Sequence, residues 1–177
     1  MQMLAAGGVP LLVDDVRPAD ADNLQGYLEF EPVKRIRFNH EWISQATGKA
    51  LKIISPLLEH LPSGFAYRVM FVERELSEVI ASQRAMLARK GQRGSTLSDA
   101  ELAAAYERQQ AAIATVLAAR RDFTVLRVEY GRILADPAAE VRRLAQFATP
   151  IWPNIQLDLA AMAAVVDPNL YRQRSGG

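Results

Sequence analysis

Apolar positions along the second two thirds of the chain alternate between two periods. Residues 50–54, 67–72 and 123–128 are short, nearly continuous apolar runs, the pattern of buried strands. After the second run, Leu76, Val79, Ile80, Gln83, Met86 and Leu87 recur at three- and four-residue spacing, which predicts a helix with one buried face. Ser98 with Glu101 three residues on is a capping box. It opens a long helix whose stripe is Leu102, Tyr106, Ile113 and Leu117 and which ends near Arg121. The third run leads into a turn or short helix over 130–134, a helix over 137–147 with Pro137 at its first position, and a last helix near 157–166. Ser55-Pro56 stops the first run, and a short helix over 57–61 follows.

The first third is less periodic. Residues 1–6 read as the end of a helix with Gly7 as its left-handed C-cap, and 9–13 as a short strand. Turn residues cluster at 20–23 and at Gly26, and a helix is expected over 32–46. Strands alternating with helices predict an α/β fold, a mostly parallel sheet flanked by helices. A chain of 177 residues suits one core and no linker divides it, so residues 1–177 read as a single domain.

Ligands of such sheets sit beyond the carboxyl ends of the strands, so the informative residues are those that follow each run: Ser55, Arg74 and Tyr130. Arg74 stands eight positions before Ser82, which falls early in the next helix. An arginine fork from a strand end and a hydroxyl from a helix can converge on one phosphate. The competing reading is a surface ion pair and a helix-interior serine.

Composition narrows the partners. With 21 basic against 20 acidic side chains the net charge is +1, which argues against a nucleic-acid partner and means that any anion is bound locally. The absence of cysteine excludes disulfides, thiolate zinc sites and thiol nucleophiles, and fits a reducing compartment. Two histidines, His40 and His60, are too few for a typical histidine metal site and read as surface or packing residues; Trp42 and Trp152 read as core or rim aromatics. The apolar opening has no basic leader and is cut by Gly7, Gly8 and Pro10, and no apolar run approaches the roughly 20 residues that span a bilayer. The expectation is a cytoplasmic protein without a membrane partner.

Several segments together resemble the sulfotransferase family that uses 3′-phosphoadenosine-5′-phosphosulfate as donor. Val69-Met70-Phe71-Val72-Glu73-Arg74 with Ser82 is similar to the family strand whose terminal arginine and following serine hold the donor's 3′-phosphate. Leu126-Arg127-Val128-Glu129-Tyr130, with Pro137 seven residues on, resembles the strand that runs into an adenine-contacting tyrosine. Lys52-Ile53-Ile54-Ser55-Pro56-Leu57-Leu58, closing with Leu61-Pro62, is similar to the acceptor-side strand and turn. The resemblance implies a P-loop-NTPase-like sulfotransferase core, donor binding through Arg74, Ser82 and Tyr130, and transfer to a hydroxyl or amine of a small molecule or glycan. It also implies a first strand and a Gly/Ser/Thr-containing loop that clasps the 5′-phosphosulfate, and no segment here reads as that loop. Residues 1–6 read as the tail of the helix that follows it, which predicts an N-terminally truncated domain with the first strand missing. Ser55 stands where many members carry a catalytic histidine, and Glu29 and Glu31 are the nearby acids. Arg172 and Arg174 are placed in sequence to close over the nucleotide, whereas Arg89-Lys90-Gly91 reads as a helix cap.

Two other classes fit the pattern less fully. A non-catalytic α/β interaction protein would complete its sheet with a partner chain or a second copy through an exposed edge. A phosphotransferase of related fold is disfavoured by the lack of a Gly-Lys-Ser/Thr loop.

Overall fold

Two of the three apolar runs pair. In the computed structural model, which describes residues 1–20, 23, 25–89, 91 and 97–168, β1 (Tyr67–Glu73) and β2 (Phe123–Glu129) are parallel along their whole length, with Tyr67 opposite Phe123 and Glu73 opposite Glu129. The crossover between them is α2 (Leu76–Arg89) and α3 (Asp99–Ala119). Beyond β2 come α4 (Tyr130–Ala135), α5 (Pro137–Ala148) and α6 (Leu159–Ala164), and α1 (Gln2–Ala6) packs against α6. The chain is thus mixed α/β, with a two-stranded parallel sheet among the described residues.

Strand side chains alternate between two cores. Tyr67, Val69, Phe71, Phe123 and Val125 meet Ile113 and Leu117 of α3 together with Leu12, Val33, Ile36, Trp42, Ile43, Leu58 and Leu61. On the opposite face, Leu126 and Val128 meet Ile133 and Leu144. Met70 packs on that cluster and also on Val9, Ala148 and Trp152. Cover on both faces explains why these strands read as continuous apolar runs and not as alternating ones. The capping box forms as expected: the Ser98 hydroxyl accepts from the Glu101 N–H at 3.3 Å, and the Glu101 carboxylate accepts from the Ser98 N–H at 2.8 Å. Asp136 caps α5 by accepting from the Ala139 N–H at 2.9 Å, with Pro137 at the first position.

Four expectations need correction. The run 50–54 is not a strand of the sheet, and neither is 9–13; the two meet only in an isolated parallel bridge between Leu11 and Ala50. Leu51 and Ile53 are packed into the core while Ile54 is 59% exposed, so this run marks burial without ladder pairing. The helix expected over 32–46 is replaced by two 3₁₀ turns, Glu31–Arg35 and Ile43–Ala46. Between them the Asn39 side chain accepts from the Glu41 N–H at 2.9 Å, a local bond that competes with helix propagation. Gly7 is not left-handed (φ −78°); Gly8 is (φ +84°). What requires glycine at position 7 is close approach, since a Cβ there would lie 2.6 Å from the buried Met162 side chain. Apart from these corrections, β1 and β2 are directly bonded, so a further strand can join this pair only at an outer edge.

The segment before the sheet is tied down by charge. Lys52 Nζ lies 3.0 Å from Glu29 and donates to the Tyr27 carbonyl at 3.2 Å, and Arg17 lies 3.3 Å from the same carboxylate. Partial burial pushes the Glu29 carboxyl up, but the Lys52 hydrogen bond and the charges of Lys52 and Arg17 outweigh it and hold the group below its ordinary value. A carboxyl depressed on folding contributes stability that is fully present above its unfolded pKa and is lost as pH falls through its folded one. The stability gap between the wild type and Glu29→Gln is therefore expected to narrow as pH drops below the ordinary carboxylate range. Urea unfolding across that range measures it, and a gap independent of pH would contradict the assignment.

Candidate functional site

Parallel pairing in register brings the ends of β1 and β2 together, so Arg74 and Tyr130, the residues that follow them, lie at the same end of the sheet. The Arg74 guanidinium stands 4.8 Å from the centre of the Tyr130 ring, within cation–π range. It also lies 3.7 Å from Glu78, a turn into α2, whose carboxylate is buried. Ser82, half-buried, is one helical turn beyond Glu78 on the same flank of α2, about 6 Å farther along the axis. The structure therefore joins Arg74 to Tyr130 and leaves Ser82 as the next position along the helix. The spacing of Arg74 and Ser82 is legible in the sequence, whereas the pairing of Arg74 with Glu78 between them is a contact that the spacing does not encode.

The cations described at this end stand beside carboxylates. Glu73 pairs with Arg127, which also stands 5.7 Å from the Phe71 ring, and Glu129 pairs with Arg132 at 3.0 Å. With Glu78 on Arg74, each of the three arginines faces a carboxylate. A phosphate arriving here must share or replace Glu78 on the guanidinium.

The acceptor-side candidates are arranged differently. Ser55 opens the 3₁₀ turn Ser55–His60 and lines a hollow of about 170 Å³ with Arg37, Glu59 and Gln109 over Ile113 and Val116. The two histidines that read as separate surface or packing residues are linked, because His40 Nε2 lies 3.0 Å from the His60 carbonyl. Arg37 donates to His60 Nε2 at 2.8 Å, and Glu59 lies 3.4 Å from the same nitrogen. Twenty residues of separation hid this from the sequence. Glu29 is held ionised by two cations and Glu31 pairs with Lys34 at 2.6 Å, which makes both weak candidates for a general base. Among the described residues no group of histidine and carboxylate side chains could hold a metal ion.

Both tryptophans are core residues, each only 6% exposed. Their indole N–H groups donate to the Asn39 and Gly48 carbonyls at 3.1 and 2.6 Å. After α2 ends at Arg89, Gly91 takes φ +61°, the left-handed conformation of a helix stop. Lys90, Arg172 and Arg174 lie outside the described residues. No helix among the described residues is long and apolar enough to cross a membrane. No protein-family model, curated protein or solved structure matches the chain.

Proposed function

We propose that this chain binds the nucleotide end of 3′-phosphoadenosine-5′-phosphosulfate, with Arg74 and Ser82 on the 3′-phosphate and Tyr130 beside the adenine, on a sulfotransferase-type P-loop-NTPase-like core. The observation that carries the reading is the 4.8 Å approach of Arg74 to Tyr130 at the shared carboxyl end of two parallel strands, the end at which α/β sheets take their ligands. A guanidinium is suited to a phosphate because its planar fork offers paired, charge-assisted hydrogen bonds. The Tyr130 ring supplies a flat surface for a base. With a phosphosulfate loop in place, an acceptor hydroxyl or amine would attack sulfur, the bond from sulfur to the bridging phosphate oxygen would break, and adenosine 3′,5′-bisphosphate would leave. Such a transfer depends on positioning and on cations and amides around the transferred group.

Titration calorimetry with adenosine 3′,5′-bisphosphate and adenosine 5′-monophosphate tests the reading, because the two differ only in the phosphate assigned to Arg74 and Ser82. The bisphosphate is expected to bind more tightly. Glu78→Gln, which removes the competing charge from Arg74, is expected to tighten it further, and Ser82→Ala to weaken it by about 1 kcal/mol. Equal affinity for the two nucleotides would sink the assignment.

A further inference from the structure

In a parallel pair, each residue of a strand turns both of its backbone groups to one side. The Tyr67 N–H donates to the Asp122 carbonyl at 2.8 Å. With the observed register, this turns the backbone of Thr124, Leu126 and Val128 toward β1 and that of Val125 and Arg127 outward. Among these outward groups the Arg127 carbonyl accepts from Arg143 at 3.0 Å, and at the start of the strand the Phe123 N–H donates to the Arg120 carbonyl at 3.2 Å. No strand among the described residues pairs with this outer edge.

On the face that carries Leu126 lies a hollow of about 350 Å³ lined by Arg68, Leu126, Arg143, Gln146 and Phe147, and Arg143 links it to the Arg127 carbonyl on the outer edge. Arg143 is balanced by Glu140 at 2.6 Å. Arg68 donates to the Phe147 carbonyl at 3.0 Å and stands 5.3 Å from the Phe147 ring, with no carboxylate at ion-pair distance among the described residues. The hollow therefore has an apolar floor and a net positive charge.

We propose that the outer edge of β2 takes an extended acidic segment of another protein as an added strand. Its backbone would bond to both groups of Val125 and to the Arg127 N–H, and alternate carboxylate side chains would enter the hollow toward Arg68. Backbone bonds would supply the docking and the charged hollow the specificity, as in strand addition generally. Charge argues for an acidic partner over a second copy. Two copies paired edge to edge about a two-fold axis would crowd both sets of Arg68 and Arg143 onto one face.

The probe is a capped peptide of alternating valine and glutamate, compared with one of alternating valine and lysine, titrated at low and high salt. The glutamate peptide is expected to bind and to weaken with salt, and the lysine peptide is expected not to bind. Arg68→Gln should lose roughly tenfold in affinity, about the worth of one charge-assisted bond, while leaving adenosine bisphosphate binding unchanged. Val125→Pro removes an outward N–H that the β1 ladder does not use, and should abolish peptide binding. If that variant fails to fold, hydrogen exchange on the wild type decides, since the Val125 and Arg127 amides should gain protection only with the glutamate peptide. Equal binding of both peptides, binding that leaves those amides unprotected, or self-association that protects them without peptide would each overturn the proposal.

Discussion

Arg74→Ala is expected to lower affinity for adenosine 3′,5′-bisphosphate by about 1.5–3 kcal/mol, the range for a hydrogen bond to a charged group, or roughly ten- to a hundredfold. The variant also strips a cation from the buried carboxylate of Glu78, at 3.7 Å, so the fold itself should weaken. Loss of binding through loss of folding must therefore be separated from loss of a phosphate contact. The double variant Arg74→Ala/Glu78→Gln does this, because it removes both members of the ion pair together. Its thermal midpoint is expected to recover toward that of the wild type while its nucleotide affinity stays low. If affinity recovers with stability, Arg74 is a structural cation and the nucleotide reading falls.

Trp152→Ala is expected to cost about 3–5 kcal/mol of stability, the range for truncating a large buried aromatic. Trp152 is 6% exposed and packs with Val9 and Ala148, and its N–H donates to the Gly48 carbonyl at 2.6 Å. It thereby ties the chain beyond α5 to the segment that makes the Leu11–Ala50 bridge. Since a domain's whole stability is about 5–15 kcal/mol, this one change should remove a large share of it. Trp152→Phe separates the contributions: it keeps most of the ring and loses the hydrogen bond, so its cost should be well below that of alanine. Urea unfolding measures both, and a loss under about 1 kcal/mol for alanine would return Trp152 to the rim.

What was legible in the sequence follows the range of the forces involved. The two paired strands, the Ser98–Glu101 box and the proline at the start of α5 are set by local pattern and by hydrogen bonds three residues apart, and all appear where the pattern places them. The run 50–54 misled because apolar content reports burial and says nothing of ladder partners: Leu51 and Ile53 are in the core, yet only Ala50 makes a bridge. Residues 32–46 misled because the Asn39 side chain offers the backbone a shorter-range bond. At the candidate site, the meeting of Arg74 and Tyr130 follows from placing both after parallel strands. The occupation of Arg74 by Glu78 depends on how α2 leaves β1, which no spacing rule encodes, and the link between His40 and His60 is a tertiary contact.

The direct pairing of β1 with β2 also governs how the chain must be made. Tyr67 cannot find Phe123 until the whole α2 and α3 crossover and β2 itself have left the ribosome. At about 5–20 residues per second, β1 therefore spends several seconds as an unpaired apolar segment, Tyr-Arg-Val-Met-Phe-Val, with both edges open. Pairing at such separation in the chain is also the slow kind, because loop closure precedes any reward. The interval between synthesis of β1 and arrival of β2 is thus when this protein is most exposed to misassembly, and when a chaperone would have most to hold.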